Sequence, residues 1–353
     1  MSKIKVAVLG ATGMIGQRFI EMLEDHPYFE IEGLYASERS EGKKLGDVLK
    51  VRDYVFKEET LEEKIETLDI SKIAKNARIA FSGIPSDLAG PTETELANKG
   101  VGVFTNAGSH RMDKNVSILI PEVNPGHMYS IEDQPTYKDG GFIITNANCS
   151  STGIAAPLAA LNDAYGLKDV FISTYQALSG AGYPGVPSLD AVGNVIPYIG
   201  GEEEKMETEL AKMLGKYEDK EFKFAKFNVY ANCARVPVVD GHLEALVIKM
   251  GSKPAVEDII KVLGSFRGEP QKLKLPSAPE FPIIVKKEQN RPQPAFDVFA
   301  GGVGRSKGMA ITVGRIRQKD EYYKMFALSH NTIRGGAGGS VLNAELAKAK
   351  KLI

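Results

Sequence analysis

The stretch Thr145-Asn146-Ala147-Asn148-Cys149-Ser150-Ser151-Thr152-Gly153 puts a nucleophile where the chain geometry can help it. An apolar run before it, Phe142-Ile143-Ile144, reads as a strand, and the Ala/Leu-rich pattern after Gly153, through Ala155, Leu158 and Leu161, reads as a helix. A cysteine at such a junction faces the unpaired N–H groups of a helix start, which favour a thiolate. That help is about 0.3–1 kcal/mol, or ~2 when partly buried. At ~1.36 kcal/mol per pKa unit it brings a thiol from ~8.5 to ~7 at best. A working nucleophile therefore needs a basic partner elsewhere in the chain. Without one, Cys149 reads as a buried structural cysteine.

The histidines are 26, 110, 127, 242 and 330. His26 stands in a His-Pro turn and His127 in an Asn-Pro-Gly-His turn, so both read as surface residues. His242 opens a strand, and Arg235 lies seven residues before it, so a bend at Asp240-Gly241 can bring both to one pocket. A histidine beside a cysteine helps ionise the thiol and later moves a proton. His242 is the first candidate and His110 the second, and spacing alone does not choose between them.

A cofactor site is legible near the start. Ile4 to Leu9 read as a buried strand, followed by Gly10-Ala11-Thr12-Gly13-Met14-Ile15-Gly16 and a helix with Phe19, Ile20 and Leu23 on one face. Strand, spaced glycines and helix make the context of a dinucleotide fingerprint. Its glycines allow a tight turn and close backbone approach to a pyrophosphate on the helix N-terminus. The next strand ends in Ser37-Glu38-Arg39-Ser40. Ser37, Arg39 and Ser40 suit the 2′-phosphate of NADP, while Glu38 argues for the free ribose of NAD. Arg111, in the loop 106–112 after another strand, is either an anion binder or a surface arginine.

Strands alternating with helices up to about residue 147 predict a doubly wound parallel sheet. Residues 42–76 are irregular and yield no elements. From 168 onward longer runs, at 169–176, 226–232, 242–250, 309–317 and 322–329, read as a more antiparallel sheet. The Gly/Pro-rich connection 178–201 reads as a structured loop over the site. The helix 202–214 reads as amphipathic with a solvated charged face, and a last helix covers about 336–349.

Net charge is −1, with both signs interspersed, so no basic stripe calls for nucleic acid. Two cysteines 84 residues apart make neither a disulfide framework nor a metal site. The first residues carry too short an apolar run for a signal peptide, and no stretch suits a membrane span. A cytoplasmic protein is expected.

A cysteine, a histidine and a nicotinamide cofactor together suit aldehyde oxidation through an acyl-enzyme. The thiolate attacks, hydride leaves to the nicotinamide, and a second nucleophile resolves the thioester. The oxyanion would need a donor such as a backbone N–H or the Asn148 amide. From Gly10-Ala-Thr-Gly-Met-Ile-Gly16 to Asn331-Thr-Ile-Arg-Gly335, the whole chain resembles the aspartate-semialdehyde dehydrogenases of the archaeal and fungal-like branch. The resemblance implies an N-terminal Rossmann domain, residues 1–147 completed by 331–353, and an α+β catalytic and dimerisation domain, 148–330, like that of glyceraldehyde-phosphate dehydrogenases. It implies NADPH-dependent conversion of aspartyl-4-phosphate to aspartate semialdehyde and phosphate, on the way to lysine, threonine, methionine and isoleucine. A homodimer or homotetramer without a metal is also implied.

By the same resemblance, Asn148-Cys149 is the nucleophile motif, His242 the acid/base and Gln176 an orienting glutamine. Arg235 takes the substrate α-carboxylate as a bidentate fork. Glu202, or Glu203 in its place, takes the α-amino group. Arg111 and Lys205 bind phosphate. Ser37, Arg39 and Ser40 form the 2′-phosphate pocket, Asn331 lies near the nicotinamide amide, and Ser179 and Gly180 join Gly10, Thr12, Gly13, Met14 and Ile15 as cofactor contacts. Leu243 departs from the pattern, since many members of this branch have threonine there. The alternatives are a malonyl-CoA or succinyl-CoA reductase with the same cysteine chemistry, an N-acetylglutamyl-phosphate reductase, and an NADP-binding scaffold without catalysis.

Overall fold

The computed structural model describes residues 2–353. β1 (Ile4–Leu9), β2 (Phe29–Ala36), β3 (Ile65–Thr67), β4 (Ile79–Ser82), β5 (Gly102–Thr105) and β6 (Phe142–Thr145) form one sheet in the order β3-β2-β1-β4-β5-β6. Every pairing in it is parallel. β4, β5 and β6 are buried along their whole length, as strands covered by helices on both faces must be. The strand order reverses between β1 and β4, and the crevice at their C-terminal ends is where such sheets take ligands. Residues 42–76 do form elements, the edge strand β3 and the short helices Glu58–Glu62 and Ile70–Asn76. They are short and largely exposed, so they leave little hydrophobic period to read.

The second sheet holds the long strands. After β7 (Leu167–Gln176), a small hairpin of β8 (Lys216–Glu218) and β9 (Glu221–Lys223) stands apart. β10 (Asn228–Arg235), β11 (His242–Met250), β12 (Ile283–Val285), β13 (Ile311–Lys319) and β14 (Tyr322–Ser329) complete the order β10-β7-β11-β14-β13-β12. The sheet is mixed rather than antiparallel throughout, because β10 runs parallel to β7 and β12 parallel to β13. The long stretch between β7 and β10 contains the helix Glu202–Met213, which gives the chain length and structure for a parallel crossover. Burial alternates strictly along β11, with His242, Glu244, Leu246 and Ile248 inward. The helix Cys149–Tyr165 contributes Ile154, Leu158 and Leu161 to the core beneath that face.

The C-terminal helix Gly338–Ala349 buries Val341, Leu342 and Leu346 in the core that also holds Phe19, Ile20, Phe81 and Phe104 of the first sheet and its helix. Just before it, the buried Arg334 guanidinium donates to both oxygens of Glu122, at 2.9 and 2.8 Å. The C-terminal segment thus returns to the first sheet after the second is complete.

Candidate active site

Asn148 starts the nucleophile helix. Its side-chain oxygen accepts the Ser150 and Ser151 N–H groups at 2.9 and 3.3 Å, an N-cap that fixes the turn before Cys149. The Asn148 N–H donates to Glu209 at 2.8 Å. The Cys149 N–H finds no acceptor among the described residues, so one donor of the helix start remains free beside the sulfur.

Cys149 Sγ lies 3.2 Å from His242 Nε2. His242 is the first residue of β11, and Gln176 and Arg235, the last residues of β7 and β10, lie in register with each other. Three strand ends therefore bring these side chains to the start of one helix. His110, the second candidate, instead bonds Asp113 at 2.7 Å and the Gly90 carbonyl, and it is not the partner of Cys149. His26 and His127 are buried, not surface residues. His26 bonds Glu345 at 2.9 Å and His127 the Gly215 carbonyl at 3.1 Å, contacts between distant parts of the chain that no local turn announces.

The Ala177 N–H donates to His242 Nδ1 at 3.0 Å. A neutral ring accepting there carries its proton on Nε2, aimed at the sulfur. Burial first, then Arg235 and His330, push His242 down to about 3. Burial, then Glu202, push the Cys149 thiol up to about 12, against the pull of Arg111 and Arg235. The pair is thus held as neutral thiol and neutral imidazole. The helix terminus alone favours a thiolate, but its fraction of a kcal/mol is outweighed by desolvation.

Glu202 lies at the centre of the polar contacts. It accepts from Asn148 Nδ2 at 3.0 and 2.9 Å, from Gln176 Nε2 at 3.4 Å and from Lys205 Nζ at 3.0 Å. Glu203 turns away and accepts the Cys233 N–H at 2.9 Å. With its oxygen on the helix cap and its nitrogen on Glu202, the Asn148 amide is not free to serve an oxyanion, and the Cys149 N–H is the open donor. Arg235 donates to the Ala177 carbonyl at 2.7 Å. A Cβ on Gly180 would stand 2.8 Å from Arg235 Nη1 and 2.9 Å from His242 Cε1, so this loop approaches the pair only as glycine.

Arg111 is no surface residue. It donates to Asn146 O at 3.0 Å, Glu209 at 2.9 Å and Asn106 O at 2.9 Å, beneath the nucleophile turn. Lys205, with a side chain 42% exposed, is the more open cation of the two. The helix Glu202–Met213 does not present a simple solvated charged face, since Glu202, Glu209 and Lys212 are buried on it. Lys212 donates to the carbonyls of Arg111, Asp113 and Val116, and burial brings it down to about 8. Glu209 and Lys212 escape the sequence reading. The signal was their spacing of seven and ten residues from Glu202, which returns to the same helix face.

The glycine turn fits a dinucleotide. Gly10 has φ +78°, and a Cβ there would lie 2.7 Å from the Gly83 carbonyl oxygen. A Cβ on Gly16 would lie 2.0 Å from the Gly10 carbonyl, so the helix and strand meet only through glycine. Gly13 caps the helix Met14–Leu23 without any side-chain bond, and Met14 and Ile15 N–H find no acceptor among the described residues. Those donors and the helix dipole suit phosphate. Thr12 offers its carbonyl to a lysine. At the end of β2, Ser37 and Arg39 are exposed and Ser40 half-buried, without an ion pair to Arg39 among the described residues. Asn331 ties two parts of the site, donating to Ser179 Oγ at 2.8 Å and accepting the Gly241 N–H at 2.8 Å. A Cβ on Gly335 would fall 2.9 Å from Cys149 Cβ, and one on Gly336 2.9 Å from Ile15 Cδ1. One short segment therefore spans from the glycine turn to the nucleophile.

Two family models match. The NAD binding domain of semialdehyde dehydrogenases covers residues 5–131, and their dimerisation domain covers 158–334. An aspartate-semialdehyde dehydrogenase of Methanothermobacter thermautotrophicus is 45% identical, over 97% of this chain and 98% of its own. The structure of aspartate semialdehyde dehydrogenase with NADP from Candida albicans superposes with a TM-score of 0.89 at 37% identity, over 100% of both chains. A malonyl CoA reductase (NADP) of Metallosphaera sedula is 38% identical, over 99% of this chain and 98% of its own. With two domain models and near full-length relatives in agreement, this chain belongs to the aspartate-semialdehyde dehydrogenase family.

Proposed function

We propose that the enzyme reversibly converts L-aspartyl-4-phosphate and NADPH to L-aspartate 4-semialdehyde, NADP and phosphate. The observation that carries the reading is the Cys149–His242 contact at 3.2 Å, with Glu202 and Arg235 both near enough to act on the same thiol. A substrate with an ammonium and a carboxylate on one carbon has a partner for each, and neither suits a simple aldehyde.

Cys149 sulfur attacks the acyl carbon as the bond to the phosphate oxygen breaks; the thiol proton leaves with the phosphate, and Cys149 holds the acyl group as a thioester. Lys205 and Arg111 would take the departing phosphate, Lys205 by leaving its bond to Glu202, and Arg111 while keeping its bonds beneath the nucleophile turn. Bound NADPH supplies the hydride that reduces the acyl carbon. The Cys149 N–H and the Nε2–H of His242 face the developing oxyanion, and donors fixed in advance are worth most there. Collapse of the thiohemiacetal returns the sulfur and releases the aldehyde. Protonating Nδ1 of His242 would break its bond from Ala177, so the histidine is set up as a donor first and a base second. Gln176 and Asn148 hold Glu202 in place. Gly10, Gly13, Met14 and Ile15 would hold the pyrophosphate, with Ser37, Arg39 and Ser40 at the 2′-phosphate, and Ser179, Gly180 and Asn331 toward the nicotinamide end.

The shared core of the C-terminal helix with the first sheet supports a cofactor domain of residues 1–147 with 331–353, and a catalytic domain of 148–330; residue 1 lies outside the described residues. A homodimer or homotetramer is supported by aromatic side chains on the outer face of the second sheet, where exposed Phe171 and Tyr230 stack at 4.8 Å. A cytoplasmic enzyme without nucleic-acid partners remains part of the proposal; among the described residues no helix is long and apolar enough to cross a membrane.

Malonyl-CoA reduction is the second reading, favoured by the similarity to the Metallosphaera sedula enzyme. That substrate has no amino group for Glu202. The deciding assay is NADP reduction with aspartate semialdehyde, with and without phosphate, beside NAD and beside malonyl-CoA with NADPH. A rate requiring both phosphate and semialdehyde supports the proposal. NADPH consumption with malonyl-CoA and none with the semialdehyde system overturns it.

A further inference from the structure

We propose that Lys50 and Tyr183 complete the cofactor site, Lys50 as the cation for the dinucleotide's pyrophosphate and Tyr183 as a clasp that closes the catalytic loop over it. The assignment rests on the reading of the Gly10–Gly16 turn as a dinucleotide cradle. Its own support is geometric.

Gln17, fully buried on the helix that begins at the glycine turn, spends its whole amide on one passing segment. Its nitrogen donates to the Val48 carbonyl at 2.9 Å, and its oxygen accepts the Lys50 and Val51 N–H groups at 2.7 and 3.1 Å. Those three bonds clamp the segment against the first turn of the helix. Lys50 then reaches back so that Nζ lies 2.7 Å from the Thr12 carbonyl, inside the glycine turn itself. It makes no ion pair among the described residues; its other neighbour is the ring of Tyr183, whose centroid is 4.6 Å from Nζ. A lysine held beside free helix-start N–H groups, with a carbonyl and an aromatic face as partners and no carboxylate, is a positive site that suits an anion. A phosphate oxygen can replace the Thr12 carbonyl as its acceptor without moving the backbone that Gln17 holds.

Tyr183 is 64% exposed, with Lys50 Nζ over its ring. It sits three residues after Gly180, which packs on Arg235 and His242. One loop of the catalytic domain therefore touches the reacting pair at one end and the cofactor cation at the other. Cation–π attraction makes that second contact depend on the Lys50 charge.

The test uses the full chain with Lys50→Met, Lys50→Arg and Tyr183→Leu, each checked for an unchanged circular-dichroism spectrum, and isothermal titration with NADP and with NAD. Lys50→Met should weaken NADP and NAD by a similar factor, about tenfold or more for a lost charge-assisted contact, and should flatten the salt dependence of binding. Lys50→Arg, which keeps the charge, should recover most of the affinity. Tyr183→Leu should raise the cofactor KM more than it lowers kcat, and should speed cofactor release. Unchanged affinity in Lys50→Met overturns the assignment. A loss confined to NADP, with NAD unaffected, also overturns it and moves Lys50 to the 2′-phosphate. If the parent binds NADP and the Tyr183→Leu release rate equals the parent's, the clasp is wrong while the cofactor reading stands. A parent that binds neither dinucleotide overturns that reading, and this assignment with it.

Discussion

At the residue scale the pocket is a balance between desolvation and a few well-placed donors. Cys149 is held as a thiol by burial and by Glu202, and His242 is held neutral by burial and by Arg235. Attack therefore requires that the incoming substrate change the local charge, and its ammonium on Glu202 would remove the nearest negative one. In the free enzyme, the rate of Cys149 alkylation by iodoacetamide should keep rising tenfold per pH unit up to at least about pH 10, because the thiolate is the reactive form. A plateau below pH 8 would show a preformed thiolate. Cys149→Ala should abolish turnover and leave NADP affinity nearly unchanged. Residual activity within tenfold of the parent would mean that another residue is the nucleophile. Arg235→Leu should lower both affinity and rate, since a carboxylate clamp also positions the reacting carbon.

At the scale of elements, the nucleophile turn is squeezed between the acidic helix and the C-terminal segment. Glu209 receives the Asn148 N–H and the Arg111 guanidinium together, so Glu209→Ala leaves a buried arginine uncompensated. Breaking such a pair costs about 3–5 kcal/mol. The melting temperature and kcat should fall together, and Glu209→Gln should recover part of each. Gly335→Ala is the subtler change. Its new Cβ meets Cys149 Cβ at 2.9 Å and Cα at 3.0 Å, and a backbone cannot yield as a flexible side chain would. A shift of the sulfur by even about 1 Å can cost on the order of a hundredfold in rate. Steady-state kinetics should show kcat falling in Gly335→Ala with cofactor KM changed much less.

For the whole molecule, the buried neutral His127 makes part of the stability depend on pH. Burial brings His127 down to about 4 although it bonds the Gly215 carbonyl. The unfolded chain takes up a proton near pH 6.5 and the folded one resists until about 4, so stability is full above 6.5 and is lost as pH falls between those values. The slope is up to ~1.4 kcal/mol per pH unit from this residue. Thermal unfolding midpoints should drop across that range, and His127→Gln should make the drop shallower; an equal drop in the variant would assign it to other groups.

The sequence by itself determined what lies within reach of a local pattern. Strand, glycine turn and helix at residues 4–23, the strand-to-helix junction at Cys149, and the alternating strands from 169 onward all declare themselves within a dozen residues. Cys149 with His242, Arg235, Gln176 and Glu202 was legible as a set only because the whole chain resembles a family whose site is known. Spacing alone left His110 beside His242, and the structure separates them because β11 begins at the site while the His110 ring is held by Asp113 and the Gly90 carbonyl. Tertiary structure alone decided which charges are buried and which donors are free. The polar face of the helix Glu202–Met213 was indistinguishable from a solvated one until the Arg111 loop folded against it. The Asn148 amide was an open donor until Glu202 occupied it, and Lys50 was one lysine in an unreadable segment until Gln17 and Tyr183 framed it. Hydrophobic period reports one element at a time, whereas a buried charge is settled by partners from other elements, and their separation along the chain carries no trace of the contact.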